Sequence, residues 1–223
     1  MIKACLFDLD GTLLDTLQSL RYYVNKTMRD FGYDEITIEE TKIFVGKGSK
    51  NLILRSLAKS GMNGNLPENV NKYLQIHDKF MGDYNASPYY LTEPYDGITE
   101  LIDVLFDRGL KLAVISNKPH DTTIQLVKSF FPNRFEIIEG QSERFPTKPD
   151  PTLGLDILSR LGVSSSEVAY FGDTDTDMKT GVNLGVSYNV GVLWGFRTKD
   201  ELIQNGATHT VSHPSEVIDI ILK

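Results

Sequence analysis

The spacing of apolar residues changes twice along this chain. Residues Ile2 to Phe7 form a short, mostly apolar run, which is typical of a central strand buried on both faces. From Leu17 the apolar positions recur every three or four residues, which predicts an amphipathic helix that ends at Gly32. As far as Leu91 the pattern then predicts further helices and no strand, at Thr37–Val45, Ser49–Ser60 and Pro67–Tyr84.

From about Pro94 the predicted helices and strands alternate to the end of the chain. The strands are predicted at Leu110–Ile115, Phe135–Glu139, Val168–Phe171, Val186–Val192 and Thr208–Val211. The helices are predicted at Gly97–Arg108, Asp121–Phe131, Asp150–Leu161, Asp177–Leu184, Lys199–Gln204 and Ser215–Leu222. Such alternation is typical of an α/β fold with a mostly parallel sheet. We therefore predict a Rossmann-like core, residues 1–15 and 92–223, with an α-helical cap, residues 16–91, inserted after the first strand.

Composition narrows the possible functions only modestly. The 223 residues are enough for one large domain or for one domain with an insertion, and the net charge of -7 argues against a nucleic-acid surface. The single cysteine, Cys5, excludes an intramolecular disulfide and fits a reducing compartment. No stretch approaches the roughly 20 apolar residues needed to cross a bilayer, and Met1 leads into a strand without a secretory signal peptide. We expect a cytoplasmic protein that binds neither nucleic acid nor membrane.

Clusters of charged and polar residues follow three of the predicted strands. They are Asp8-Leu9-Asp10-Gly11-Thr12, Ser116-Asn117-Lys118 and Gly172-Asp173-Thr174-Asp175-Thr176-Asp177, and Lys148-Pro149-Asp150-Pro151 lies between the last two. The carboxyl ends of parallel strands share one edge of the sheet, where ligands bind. We therefore expect these segments to bring carboxylates, a hydroxyl and an ammonium into one cleft. That combination indicates magnesium-dependent phosphoryl transfer.

The acidic residues themselves favour a metal ion. Asp8 and Asp10 alternate along the end of a strand, and two crowded carboxylates repel each other unless a cation or a proton lies between them. Mg²⁺ prefers such oxygen ligands, and Asp173 and Asp177 add two more carboxylates. For the first segment alone, a simple Asp-Gly turn is the competing interpretation. A calcium loop of the EF-hand type is disfavoured because Met178 stands where that loop needs glycine.

The ordered set of segments resembles the haloacid dehalogenase-like superfamily of aspartate-nucleophile phosphohydrolases. The first family motif, Asp-x-Asp-Gly-Thr, matches Asp8 to Thr12, and the second, a Ser or Thr that ends a strand, matches Ser116. The third motif is Lys148, and the fourth, Gly-Asp-x-x-x-Asp, is Gly172 to Asp177. The dehalogenase branch lacks the second aspartate of the first motif, so the aspartate at position 10 indicates phosphate chemistry. The predicted helical block resembles the family's cap.

The resemblance implies a role for each catalytic residue. Asp8 is expected to attack the substrate phosphorus and form an aspartyl-phosphate. Asp10 is expected to protonate the leaving oxygen and then to activate water. Ser116 and Lys148 are expected to hold the phosphoryl oxygens.

The resemblance also implies the metal ligands. Mg²⁺ is expected to be held by Asp8, the main-chain carbonyl of Asp10 and Asp173, with Asp177 supporting them. The expected partner is a small phosphorylated metabolite.

Further substrate contacts are predicted for Thr12 and Asn117 in the core and for Lys47 in the cap. Lys47 stands between Gly46 and Gly48, and it could meet a second anionic group of a substrate, such as a carboxylate. The segment follows a helix-like stretch and contains no Gly-Lys-Ser/Thr element, which argues against a nucleotide-binding Walker loop. A plain flexible loop is the competing interpretation.

Within the superfamily the chain most resembles phosphoglycolate phosphatase-like proteins. Three segments carry this resemblance, Val45–Gly48, Trp194–Arg197 and Gly206–Thr208. They imply a magnesium-dependent phosphatase for a small, phosphoglycolate-like monoester. A β-phosphoglucomutase-like phosphosugar mutase and a pyrophosphatase of the same superfamily are the alternatives. A non-enzymatic relative is disfavoured because no catalytic position is missing.

Overall fold

A computed structural model describes residues 1–221, which divide into two units. One unit, the core, combines Met1–Asp15 with the chain from Glu93 onward, and the other, the cap, is Thr16–Thr92. The strands are β1 (Ala4–Phe7), β2 (Leu14–Asp15), β3 (Glu93–Pro94), β4 (Lys111–Pro119), β5 (Ile137–Gln141), β6 (Val168–Gly172), β7 (Tyr188–Val192) and β8 (His209–Val211).

The helices follow the alternation that the sequence predicts. In the cap they are α1 (Leu17–Asp30), α2 (Ile38–Phe44), α3 (Gly48–Lys59) and α4 (Val70–Ala86). In the core they are α5 (Ile98–Asp107), α6 (His120–Phe130), α7 (Thr152–Leu161), α8 (Asp175–Leu184), α9 (Lys199–Gln204) and α10 (Glu216–Ile221), with a short 3₁₀ turn at Ser165–Glu167. Among residues 1–221, no helix has both the length and the apolar character needed to cross a membrane.

The core is built on a six-stranded parallel sheet of order β5-β4-β1-β6-β7-β8. β1 lies in the interior of this sheet, which explains its apolar sequence. Its side chains alternate between two buried layers: Cys5 and Phe7 pack with residues of α5, α6 and α10, whereas Ala4 and Leu6 pack with residues of α7 and α8. The predicted α/β fold, a parallel sheet with helices on both faces, is confirmed.

The cap contains four helices and no strand among its described residues, as predicted. The side chain of Asn25 in α1 fastens the following loop, because it donates to the carbonyl of Ile36 and accepts from the amide of Ile36, at 2.9 and 2.8 Å. α2 then begins with a capping box, in which Thr37 and Glu40 each accept a hydrogen bond from the other's main-chain N–H.

One cap boundary differs from the prediction. α4 begins at Val70, so Pro67 lies in a turn before the helix and not in its first turn. Asparagine side chains hold the chain in turns here: Asn63 accepts from the amide of Asn65, and Asn69 donates from its side chain to the Asn63 carbonyl. Such local hydrogen bonds compete with helix formation.

The chain leaves the core after Asp15 and returns to it at Glu93. A short antiparallel ribbon pairs these two segments. Its strands, β2 and β3, pair Leu14 with Pro94 and Asp15 with Glu93. These strands are not predicted from the sequence, since each is only two residues long and shows no periodic pattern.

β4 is longer than predicted and carries an irregularity. It continues past Ile115 to Pro119, with a shift of register against β5 between these two residues. Ser116, Asn117 and Lys118 are therefore part of the strand and are buried. This irregular end fixes the main chain of three polar residues at the edge of the sheet.

Candidate active site

Asp8 and Asp173 come just after the ends of two neighbouring strands. The main-chain N–H of Asp8 donates to the carbonyl of Phe171 at 2.9 Å, which continues the pairing of β1 with β6. Behind this point the rings of Phe7 and Phe171 stack with centroids 4.6 Å apart. The register of a buried sheet therefore positions both carboxylates.

Three buried carboxylates form the centre of the site. Asp8, Asp173 and Asp177 each place one oxygen within 4.8 Å of the other two. Burial and the neighbouring Asp177 raise the pKa of Asp8 to about 7. Burial, followed by repulsion from Asp177 and Asp8, raises the pKa of Asp173 well above its ordinary value. The cluster is thus unfavourable as three bare charges and attracts a proton or a cation.

Lys148 compensates part of this charge. Its Nζ lies 2.8 Å from Asp8 Oδ1 and 2.6 Å from Asp177 Oδ1. Burial lowers the pKa of Lys148, but Asp177 and Asp8 outweigh burial and raise that pKa well above its ordinary value, so the ammonium stays charged. Asp8 Oδ1 is buried, and the Lys148 ammonium is its close cationic neighbour.

Asp177 is held on both of its carboxylate oxygens. Oδ2 accepts from the main-chain N–H of Thr174 at 3.0 Å and from the Thr174 hydroxyl at 2.6 Å. Thr174 caps α8, which begins two residues earlier than predicted. Oδ1 accepts from Lys148 Nζ and from the Tyr170 hydroxyl, at 2.6 and 3.2 Å. Four accepted hydrogen bonds fill the usual capacity of a carboxylate. Asp177 is thus suited to orienting Lys148.

Tyr170 is a site residue that the sequence pattern does not predict. Its hydroxyl accepts from Lys148 Nζ at 3.3 Å and donates to Asp177. Burial raises the pKa of Tyr170 well above its ordinary value, which keeps the hydroxyl protonated. The residue lies within the apolar run of β6, so the pattern gave no sign of a polar role.

Asp173 is fixed by contacts from two loops. Its Oδ1 accepts from the hydroxyl of Thr12 at 3.3 Å, and its Oδ2 accepts from the main-chain N–H of Phe196 at 2.8 Å. Trp194 Nε1 donates to the carbonyl of Thr12 at 3.0 Å. Gly195 lies between Trp194 and Phe196, and there is no room for a side chain at this position, because a Cβ would come within 2.4 Å of Asp173 Cβ. The segment around Trp194 therefore packs directly on this carboxylate.

Ser116 and Asn117 occupy the same edge of the sheet, on β4. Ser116 is buried, and its Oγ accepts from the main-chain N–H of Lys118 at 3.3 Å. The side-chain amide of Asn117 bonds the main chain of Lys148 twice, donating to its carbonyl at 3.2 Å and accepting from its N–H at 2.9 Å. This double contact fixes the segment that carries the lysine.

Asp10 pairs with a second buried lysine. Lys118 Nζ lies 2.8 and 3.1 Å from the two carboxylate oxygens of Asp10. The Lys118 side chain is 2% exposed, and that of Asp10 is 20% exposed. In the sequence, Lys118 is only a neighbour of Ser116, and no motif predicts a role for it.

Lys47, the remaining predicted substrate residue, belongs to the cap, whereas all the others belong to the core. It is exposed at the start of α3, where its carbonyl accepts from the side chain of Asn51 at 2.9 Å. Next to it, Ser49 Oγ lies 3.0 Å from Nε2 of His77. The structure thus places Lys47 on an accessible, anchored helix start.

Of three residues close to the motifs, two have partners outside the central cluster and the third, Arg197, acts on one of its carboxylates. Asp175 forms an ion pair with Lys179 at 3.1 Å. His120 Nδ1 accepts from the N–H of Gly140 at 3.2 Å. The charge of Arg197 lowers the pKa of Asp173, although burial and the neighbouring carboxylates outweigh it.

The donor set fits a hard divalent cation. Asp8 and Asp177 share the Lys148 ammonium, Asp10 pairs with Lys118, and Asp173 adds a fourth carboxylate, so negative charge exceeds positive charge in this site. Oxygen ligands in this number are those that Mg²⁺ prefers. Because Asp177 is fully hydrogen-bonded, Asp8 and Asp173 are the side chains best suited to be direct ligands.

Comparisons with known proteins agree with this site. The family model described as haloacid dehalogenase-like hydrolase matches residues 5–190. Phosphoglycolate phosphatase of Aquifex aeolicus is 28% identical, over 99% of this chain and 97% of the relative. N-acetylmuramic acid 6-phosphate phosphatase of Pseudomonas aeruginosa is also 28% identical, over 99% and 95%. The crystal structure of a presumed phosphoglycolate phosphatase from Lactobacillus delbrueckii has a TM-score of 0.90 and 30% identity, covering 98% of each chain.

The family model spans all four motifs, from β1 to β7. The structural match extends over nearly the whole chain. The predicted family is therefore confirmed, and the chain belongs to the haloacid dehalogenase-like hydrolases.

Proposed function

We propose that the protein is a magnesium-dependent phosphatase that hydrolyses a small phosphate monoester through an aspartyl-phosphate on Asp8. The observation that carries this proposal is the setting of Asp8: a buried carboxylate 2.8 Å from the Lys148 ammonium, grouped with the carboxylates of Asp173 and Asp177. A carboxylate held in this way is available as a nucleophile.

In the first half of the reaction, an oxygen of Asp8 attacks the phosphorus and the bond to the ester oxygen breaks. Asp10 gives its proton to that leaving oxygen, so the alcohol departs neutral. Ser116 and Lys148 hold the phosphoryl oxygens, and Lys148 also offsets repulsion between Asp8 and a dianionic phosphate.

In the second half, Asp10 takes a proton from water, and the water oxygen attacks the phosphorus. The bond to Asp8 breaks, which releases inorganic phosphate and restores both carboxyl groups. Asp8, Asp173 and the main-chain carbonyl of Asp10 would hold Mg²⁺, with Asp177 orienting Lys148. When bound, the metal neutralises charge that develops on the phosphoryl oxygens.

The relatives point to an acidic substrate class. Phosphoglycolate and N-acetylmuramic acid 6-phosphate, which the names of two relatives give, both combine a phosphate monoester with a carboxylate. We propose a small metabolite with these two groups, phosphoglycolate foremost, as the substrate. Phosphate release with Mg²⁺ is measured over phosphoglycolate, N-acetylmuramic acid 6-phosphate, neutral sugar phosphates and pyrophosphate.

The proposal expects the highest kcat/KM for a carboxylate-bearing monoester. Conversion of β-glucose 1-phosphate to glucose 6-phosphate without phosphate release would establish the mutase alternative. Preference for pyrophosphate would establish the pyrophosphatase alternative, and an absence of turnover on the whole panel would contradict the proposal.

The cap residue Lys47 is proposed to recognise the carboxylate of the substrate. Lys47→Ala is expected to lower kcat/KM for phosphoglycolate about tenfold or more, because a charge-assisted contact contributes about 1.5–3 kcal/mol. For p-nitrophenyl phosphate, kcat/KM is expected to change less than about twofold, since this ester has no carboxylate to bind. The measurement is steady-state kinetics on both substrates.

Lys50→Ala is the matched control, because Lys50 is also an exposed lysine in the first turn of α3. It is expected to leave the ratio of the two kcat/KM values unchanged. Equal losses on both substrates in Lys47→Ala, or no loss on either, would remove Lys47 from substrate recognition.

A further inference from the structure

We propose that Lys118 is a positioning residue for Asp10, and that it holds the carboxylate in the place from which the leaving group is protonated. The inference rests on the proposed function, in which Asp10 is the acid and base. Its observation is the pair of contacts, at 2.8 and 3.1 Å, from one buried ammonium to both oxygens of Asp10. A charge-assisted contact from one ammonium to both oxygens limits how far the carboxylate can rotate.

The main chain of Lys118 is itself firmly placed. Its N–H donates to Ser116 Oγ at 3.3 Å, and its carbonyl accepts from the Thr123 hydroxyl at 3.3 Å. On the adjacent strand β5, Gly140 packs closely against this carbonyl, because a Cβ at Gly140 would lie 2.6 Å from the Lys118 oxygen. The ammonium is therefore presented from a rigid part of the sheet, next to the residue proposed to hold the phosphate.

The two buried lysines divide the carboxylates between them. Lys148 contacts Asp8 and Asp177, whereas Lys118 contacts Asp10. The nucleophile and the acid–base residue thus have separate cationic partners on separate segments of the chain. Asp10 can keep its orientation while Asp8 reacts, since Asp10 is held by Lys118 and Asp8 by Lys148.

This arrangement predicts a dependence on the leaving group. An alkoxide leaves poorly unless it is protonated, so the position of Asp10 matters most for alkyl phosphates. A p-nitrophenolate leaves without a proton. The alkyl phosphate and p-nitrophenyl phosphate are compared by kcat/KM. This value reports the steps up to the first phosphoryl transfer and excludes the later attack of water.

Lys118→Met keeps an unbranched apolar stem and removes the ammonium. We expect kcat/KM for phosphoglycolate, or for the best alkyl phosphate of the panel, to fall about a hundredfold, because a misplaced acid loses most of its contribution. We expect kcat/KM for p-nitrophenyl phosphate to fall less than about threefold, since it does not use that proton. Lys111→Met is the matched control, with the same change on the same strand, where Lys111 donates to the carbonyl of Leu161.

A merely structural role would lower both values together, and that result would overturn the inference while leaving the phosphatase assignment intact. The Asp10→Asn background supplies a second test. If Lys118 acts through Asp10, adding Lys118→Met to the Asp10→Asn variant changes kcat/KM for the alkyl phosphate less than about twofold. A further loss of about tenfold or more would overturn the inference. The double variant also carries neither charge of the pair, so this comparison stands if Lys118→Met alone does not fold.

Discussion

Asp8→Asn is expected to lower kcat for phosphate release by at least about a thousandfold, because the amide keeps the shape of the side chain but is not a nucleophile. The fold is expected to stay intact, since the change removes one of three mutually repelling carboxylates from a buried cluster. Phosphate release measures the first effect, and thermal unfolding followed by circular dichroism measures the second.

The matched control for this change is Asp103→Asn, because Asp103 is an exposed partner of Arg134 on the surface of the core. Its activity is expected to equal that of the wild type. If Asp8→Asn retained about a tenth of the wild-type rate, Asp8 would not be the nucleophile. Rapid-quench trapping should also find a phosphorylated protein in the wild type and none in Asp8→Asn.

Removal of divalent metal is expected to have the second large effect. Chelation is expected to lower phosphatase activity at least about a hundredfold, and added Mg²⁺ is expected to restore it, because the buried carboxylates need a cation to offset their charge. Ca²⁺ is expected to inhibit, because it takes more oxygen ligands than Mg²⁺ and competes for the Asp8 oxygen that must attack. Full activity with Ca²⁺ alone would contradict this assignment.

Thermal stability gives a measurement of the metal site that is independent of turnover. The pKa of Asp8 is raised to about 7 in the folded protein. A carboxyl group with a raised folded-state pKa stabilises the protein below its unfolded pKa, and this contribution is lost as the pH rises through the folded value. In the metal-free protein, the free energy of unfolding is therefore expected to lose the Asp8 contribution between about pH 4 and pH 8.

A bound cation favours the ionised carboxylates, so Mg²⁺ is expected to raise the Tm more at about pH 8 than at about pH 5.5. Asp173→Asn should abolish most of this shift, because it removes one of the two side chains best suited as ligands. An equal Mg²⁺-dependent shift at both pH values, or an undiminished shift in Asp173→Asn, would argue against a metal at this cluster.

Much of the fold and of the site could be predicted because both depend on simple periodic features. The alternation of apolar strands with amphipathic helices after Pro94 predicted the parallel sheet, since such strands need helices on both faces. The rule that parallel strands share one carboxyl edge then predicted that residues as distant as Asp8 and Asp173 would meet, and their oxygens lie within 4.8 Å.

The features that were missed depend on short or irregular structure. β2 and β3 have two residues each, too few for any period to show. The irregular register of β4 extends the strand beyond Ile115, so the direction of Lys118 could not be inferred from alternation. Tyr170 lies in an apolar strand, where a hydroxyl with a polar partner looks like one more large core residue.

The ribbon formed by β2 and β3 also bears on how this architecture can diversify. Paired antiparallel strands run about 5 Å apart, so the chain leaves the core and returns to it at adjacent backbone positions, Asp15 and Glu93. An inserted segment with its ends joined in this way can change in length or sequence without moving the residues of the sheet. Evolution can therefore exchange whole inserted modules at this junction while the core is kept, and a protein engineer can graft them at the same two residues.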